Sequence, residues 1–270
     1  MELTGSVALI TGASSGIGRS VALELADHGV HVLVHGRDRL RLDDVVSLTG
    51  GTPLVAELAD PAQRDALVRN ATEVHGRVDV LVNNAGVGWS GPVTAMTADD
   101  VDRVLEVNLS AAVHLTRLLV PGMVDRGRGA VCFVTSVAGR SPVAGEAVYS
   151  AAKAGLDAFA ESLRAEARRS GVHVSVVVPG VVDTDFFANR GRPYDRALPR
   201  PVPPQAVATA VVRSIADGRP EVWVPRWLRL APAARALAPG PYRGLSAAFG
   251  GRHRLAGDAG RRVRPGSRWP

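Results

Sequence analysis

Three side chains between positions 136 and 153 could together move a proton. Ser136 follows an apolar run, Ala130 to Thr135, that reads as a buried strand. After a Gly/Pro-rich loop, Tyr149 and Lys153 stand four apart where a helical pattern begins, so they share a face. A phenol beside an ammonium is an acid–base device. The ordinary phenol titrates near ~10, and a neighbouring cation favours its charged form and lowers that value. Composition singles out the same place: of 32 Lys+Arg, Lys153 is the only lysine. Arg presents a wide planar fork, whereas Lys is a slim ammonium that can approach a phenol and a sugar hydroxyl together. The bland reading of Lys153 is an exposed helix charge, and the motifs around it count against that.

The elements that must position these groups alternate along the chain. Ser6 to Ile10 reads as a strand, feeding Thr11-Gly12-Ala13-Ser14-Ser15-Gly16-Ile17-Gly18 and a helix from Ile17 to His28. Strand, glycine turn and helix start are the setting a dinucleotide's pyrophosphate needs: close backbone approach, free N–H groups and a positive dipole end. The candidate contacts are Gly12, Ser14, Ser15, Gly16, Ile17 and Gly18. His31 to His35 is the second strand. Where a carboxylate would bind the ribose 2′-OH of NAD stands Gly36, with Arg37 after it. An Arg there, with Ser14, suits a 2′-phosphate and favours NADP over NAD. Asp38 beside it works against such a site.

Thr52 to Leu58 reads as the third strand, Pro61 to His75 as a helix, and Val78 to Val82 as a fourth strand running into Asn83-Asn84-Ala85-Gly86. Thr97 to Leu119 reads as one long helix. Asn108 inside it is a poor helix former, and its apolar neighbours Val107, Leu109, Ala111 and Ala112 indicate burial. A helix from Tyr149 to Ser170 with an apolar stripe, a sixth strand Val172 to Val178, a helix Gln205 to Ala216 and a seventh strand Glu221 to Pro225 follow. The expected fold is α/β: a Rossmann-like, doubly wound parallel sheet of about seven strands in a single domain, 1–225. Asp183 to Pro204 lacks periodicity, holds Phe186, Phe187, Arg190 and Tyr194, and reads as a substrate-covering loop. With Trp89 and Val143, the two phenylalanines suggest an apolar pocket.

Residues 226–270 form a basic extension with ten Arg against one acid, Asp258, so the formal +6 of the chain is +9 in the extension and −3 before it. A basic tail on an acidic domain argues against a nucleic-acid partner. Arg226 to Phe249 mixes Trp227, Leu228, Leu230, Leu237 and Tyr242 with Arg and Pro. It reads as a segment docked on the parent domain or a partner subunit, with weak contact to a membrane surface as the alternative. Gly250 to Pro270 is expected to be disordered. The lone Cys132 lies in an apolar strand and reads as packing. Met1 to Gly5 does not read as a signal peptide, and no apolar run reads as a membrane span, so a cytoplasmic enzyme is expected. No metal site is expected.

Taken in order, Thr11 to Gly18, Asn83 to Gly86, Asn108, Ser136, Tyr149, Lys153 and Pro179-Gly180 resemble the short-chain dehydrogenase/reductase family in its single-domain branch, over about residues 4–225. The resemblance implies an NAD(P)-dependent oxidoreductase that interconverts a small, apolar carbonyl compound and its alcohol, as a dimer or tetramer. Tyr149 would be the acid or base, Lys153 would lower its pKa and hold the nicotinamide ribose, and Ser136 would bind the substrate oxygen. Asn108 would keep a proton-relaying water. Asn84, Ala85 and Gly86 would line the adenosine ribose. Pro179, Gly180, Val182 and Thr184 would hold the nicotinamide end, Thr184 through the carboxamide. The family's Asp at the adenine corresponds here to Glu57, so that contact passes to Glu57, Asp60 or the Leu58 backbone. A cofactor-binding regulator with little turnover is the rival class, disfavoured by the intact Ser136, Tyr149 and Lys153.

Overall fold

Strands that are apolar at every position need cover on both faces. In the computed structural model, which describes residues 1–192, 194 and 199–249, the chain meets that need by alternating strand and helix. The first half runs β1 (Val7–Ile10), α1 (Gly16–Asp27), β2 (His31–Gly36), α2 (Arg39–Thr49), β3 (Thr52–Val55), α3 (Pro61–His75), β4 (Val80–Asn83), α4 (Ala98–Leu105) and α5 (Ala111–Asp125). The second half runs β5 (Gly129–Val134), α6 (Val137–Arg140), α7 (Ala147–Glu166), β6 (Val172–Pro179), α8 (Phe186–Asn189), α9 (Pro204–Asp217), β7 (Glu221–Val224), α10 (Leu230–Leu237) and α11 (Pro239–Phe249).

All seven strands are parallel and lie in the order β3-β2-β1-β4-β5-β6-β7. Alternation along β1 splits the core. Leu9 faces a layer with Leu67 of α3, Leu115 of α5 and Leu156 of α7. Ile10 faces one with Leu25 of α1, Leu42 of α2 and Val211 of α9. The strand order reverses between β1 and β4, and the crevice beyond their carboxyl ends is where such sheets bind ligands.

Four local differences from the sequence expectations have physical causes. The helix α2 was not foreseen. Only Leu42 and Val45 on it are buried, so its periodicity is faint, and Asp38 starts it by accepting from the Arg41 N–H. β3 ends at Val55, because the chain leaves the sheet to bring Glu57 and Leu58 over the crevice. The long helix is not continuous: α4 and α5 are joined by a wide π turn, Glu106–Ser110, and α5 runs on to Asp125. By length and composition Ala98–Asp125 could span a bilayer, contrary to expectation, but Val104, Leu115, Leu119 and Met123 bury it against the sheet. Within the covering loop, Phe186–Asn189 forms one short helix. Residues 250–270, expected to be disordered, lie outside the described residues. Cys132 is buried as expected, and burial pushes its thiol up to about 11.

One buried polar residue braces the carboxyl ends of three strands. His35 at the end of β2 takes the Gly12 N–H at Nδ1, 3.3 Å, and Nε2 lies 3.1 Å from the Ala56 carbonyl. Those two bonds require a neutral ring with the proton on Nε2. Burial pushes His35 down to about 4, against the smaller upward pull of the Ala56 carbonyl. Unfolding returns the ring to its ordinary 6.5, so the unfolded chain binds the extra proton and stability falls as pH drops through the 6.5-to-4 window. Denaturant titrations of the parent should show that loss, on the order of 3 kcal/mol across the whole window. His35→Gln should be less stable at pH 7.5 and nearly flat from 6.5 to 5. Parallel pH slopes in the two proteins would remove His35 as the cause.

Candidate active site

The loop after β1 presents backbone to the crevice. Ser15 stands at the N-cap of α1 without a side-chain capping bond, which leaves the first-turn N–H groups of α1 for a ligand. A Cβ on Gly18 would lie 2.1 Å from the Gly12 carbonyl oxygen, so the helix start can seat against the loop only with glycine there. The Asn84 amide, at the end of β4, donates to the Thr11 carbonyl at 2.9 Å and the Gly12 carbonyl at 3.2 Å, fixing the loop from the neighbouring strand. Gly12, Ser14, Ser15, Gly16, Ile17, Asn84, Ala85 and Gly86 all line one cleft, and Gly18 lies just behind it.

The far end of this cleft carries three guanidiniums and two carboxylates. Glu57 bridges Arg37, 3.4 Å, and Arg103 of α4, 3.3 Å, while its other oxygen accepts from the Ala59 N–H. Burial alone would raise the Glu57 carboxyl, but the Ala59 N–H and the two cations outweigh it and hold it below the usual range. Asp38 is engaged by Arg41, 3.5 Å. Of the three adenine candidates, Asp60 drops out: it caps α3 through the Ala62 and Gln63 N–H groups and does not line the cleft, whereas Glu57 and Leu58 do. Arg103 had no sequence signal, since its neighbours in space come from β2 and the β3 loop.

The candidate catalytic groups converge where β5 and β4 end. Ser136 caps α6, accepting from the Ala138 N–H at 3.1 Å, and its hydroxyl lies beside the Tyr149 phenol. Desolvation pushes that phenol well above its ordinary value; the Ser136 hydroxyl opposes, Glu146 adds to the rise and Arg190 subtracts. Lys153 is buried one turn on, with Nζ 5.9 Å from the Tyr149 ring centre and donating to the Val134 carbonyl at 3.0 Å. Burial pushes the ammonium down to about 8, against the pull of Asp157. The expectation that Lys153 lowers the phenol therefore meets a larger opposing effect here: desolvation of the phenol outweighs every charge around it.

Asn108 lies in the π turn and is 1% exposed, as its apolar neighbours indicated. Its amide donates to the Val87 and Val104 carbonyls, both 2.8 Å, while its buried Oδ1 has no protein partner. A Cβ on Gly86 would sit 2.7 Å from that Oδ1 and 3.6 Å from Lys153 Nζ, so glycine keeps the space between Asn108 and the ammonium clear. An acceptor aimed at that space, the exposed helix start and the glycine floor together fit a nicotinamide dinucleotide.

The other end of the cleft is apolar. The whole cleft encloses about 1130 Å³, and Pro179, Gly180, Val182, Thr184, Val143, Phe186 and Phe187 line this end. Phe186 of α8 lies over Tyr149 with ring centres 5.6 Å apart, so the covering loop sits on the phenol. α8 is held down by a nearly buried ion pair between Arg190 and Glu146, and the Arg190 guanidinium stacks on Phe187 at 4.4 Å. Trp89, expected in this pocket, does not line it; its indole folds over Gly91. Trp227, Leu228, Ala231 and Tyr242 from beyond β7 complete the wall, a contribution that loop composition alone did not reveal.

Comparison with known proteins agrees with this geometry. The profile of the short-chain dehydrogenase family matches residues 6–195. The ketoacyl reductase HetN of a Nostoc species is 36% identical over 227 residues, which is 82% of this chain and 79% of that protein. A short-chain dehydrogenase from Sphingobium yanoikuyae, solved in complex with NADPH, superposes with a TM-score of 0.76 at 30% identity, covering 95% of this chain and 100% of the other. One from Burkholderia phymatum, solved in complex with NAD, gives 0.78 at 27% identity over 88% of this chain and 96% of the other. With its parallel sheet, its glycine-floored cleft and its Ser136, Tyr149 and Lys153 gathered along that cleft, the chain belongs to the short-chain dehydrogenase/reductase family of nicotinamide-dependent oxidoreductases.

Proposed function

We propose that the protein is an NADPH-preferring reductase of apolar ketones in the cytoplasm, with Tyr149 as the acid. The observation that carries this is the Tyr149 phenol, lining the cleft beside Ser136 and one helical turn from the buried Lys153. The pyrophosphate would be held by the α1 start with Ser14 and Ser15, and the nicotinamide ribose by Tyr149 and Lys153. Pro179, Gly180, Val182 and Thr184 would take the nicotinamide. The bound cofactor supplies the hydride. The Ser136 hydroxyl donates to the substrate carbonyl oxygen and holds it against Tyr149 Oη, which gives up its proton to that oxygen. A phenol pushed upward stays protonated through neutral pH, the form that reduction requires. Asn108 Oδ1, facing the Lys153 ammonium across Gly86, is the acceptor through which that proton would be replaced. Phe186 and the Arg190–Glu146 pair exclude water above the phenol. The ketoacyl reductase among the relatives supports a keto substrate, and the NADPH-bound relative supports the phosphorylated cofactor. Arg37 with Arg103 gives the 2′-phosphate two cations, held in place by Glu57.

Tyr149→Phe should lose more than about a hundredfold in kcat on any carbonyl the parent reduces, since a positioned acid contributes at least that much, while NADPH titration by fluorescence changes little. Activity within tenfold of the parent would take Tyr149 out of its role. Arg37→Ala should lower the NADPH-to-NADH ratio of kcat/KM by about tenfold or more, the worth of one charged contact. An unchanged ratio, or a parent that prefers NADH, would overturn the cofactor assignment. Lys153 at about 8 loses its charge as pH rises through that value, so kcat/KM of the parent should fall there. Lys153→Arg should lose about a hundredfold from misplacement and also lose that ionisation, because guanidinium stays charged. An alkaline limb that persists near 8 in the Arg variant assigns the ionisation to another group.

A further inference from the structure

The segment after β7 has two faces. One docks on the domain. Leu228, 4% exposed, enters the space above Gly180, where a Cβ would meet its Cδ1 at 2.4 Å, and the Arg235 guanidinium donates to the Arg140 carbonyl at 3.0 Å. The other face is apolar and bare. A turn of 3₁₀ helix, Arg226–Arg229, runs directly into α10, and Trp227, Leu230, Ala234 and Leu237 fall at i, i+3, i+7 and i+10 along one stripe. Trp227 is 55%, Leu230 63% and Leu237 88% exposed.

What covers this stripe is indicated by charge. From 226 to 249 the chain carries Arg226, Arg229, Arg235 and Arg243 and no acid, and the sequence from 250 to 270 adds six Arg and only Asp258. A second copy docked stripe to stripe would bring two such arginine sets together. An anionic bilayer surface complements them, and an indole beside two leucines is the side-chain set that enters the headgroup boundary. We infer that the Leu230–Leu237 stripe, with the half-exposed Trp227 at its edge where it also meets the substrate cleft, and flanked by its arginines, is a docking surface for anionic lipid. Apolar contact and polybasic attraction are each weak alone; together they hold a protein at a membrane reversibly.

The test uses the full chain with vesicles of phosphatidylcholine containing about 30% phosphatidylglycerol, and with phosphatidylcholine alone. Co-sedimentation should occur with the anionic vesicles, be at least fivefold weaker on neutral ones, and fall steeply at high salt. The double variant Leu230→Ser, Leu237→Ser should lose most of the binding, about tenfold, and keep its turnover of a water-soluble carbonyl, because neither side chain lines the cleft. A second variant, Arg226→Ser with Arg229→Ser, should weaken binding to the anionic vesicles alone. Absence of sedimentation with either vesicle overturns the inference. So does full binding by the leucine variant, which would mean that charge acts without the stripe, and so does a dimer in sedimentation velocity that the leucine variant dissolves without any vesicle binding.

Discussion

Lys153 brings a positive charge to a place with almost no water, and the surroundings are arranged around that cost. An ammonium buried without partners is expensive by many kcal/mol, and in practice it gives up its proton. Here the Val134 carbonyl at the end of β5 takes one donor, and Asp157, one helical turn along α7, supplies the opposing charge. Asp157 is itself held by Arg140 of α6, 2.7 Å, and Arg140 by Glu221 at the start of β7, 2.9 Å. The single lysine is thus tied through one chain of charges to the edge of the sheet. A buried network of this kind is a weak source of net stability. What it does is fix the distance between α6 and α7, and so between Ser136 and Tyr149.

The same economy explains the π turn. A regular helix through 106–110 would keep every carbonyl bonded within the helix. The wider turn frees the Val104 carbonyl to accept from the Asn108 amide, and the Val87 carbonyl takes the second amide proton. With both its protons committed, the Asn108 amide cannot rotate, and Oδ1 can point only toward Gly86 and Lys153. A poor helix former is tolerated there because the backbone has already departed from α geometry.

The parts of the site that could be read from the sequence are those where chemistry leaves no choice of residue. Gly18 meets the Gly12 carbonyl, Gly86 meets Asn108, and only a lysine can sit under Tyr149, so residue type alone marks them. Uniformly apolar strands marked the parallel sheet for the same reason: β4 and β5 have no polar face to show. What escaped notice depends on pairing across the fold. Glu57, which lines the cleft, also pairs with Arg37 and Arg103, partners that are distant in sequence. Asp60 is occupied as the cap of α3. Trp89 has the composition of a pocket residue, but Gly91, with no side chain, gives its indole a nearer surface. α2 buries two residues in eleven, and no periodic reading detects so thin a stripe.

The lid over Tyr149 raises a problem that its ion pair answers. α8 must press Phe186 onto the phenol to keep water out, and a four-residue helix has little apolar area with which to do so. A nearly buried Arg190–Glu146 pair, with Arg190 also stacked on Phe187, supplies the hold. A lone charge so near the phenol would move its pKa strongly. Because the latch is a pair, Glu146 raises the phenol and Arg190 lowers it, and the two effects oppose each other. The phenol is then set by desolvation and by Ser136. The covering loop can therefore carry a charged latch without retuning the group beneath it.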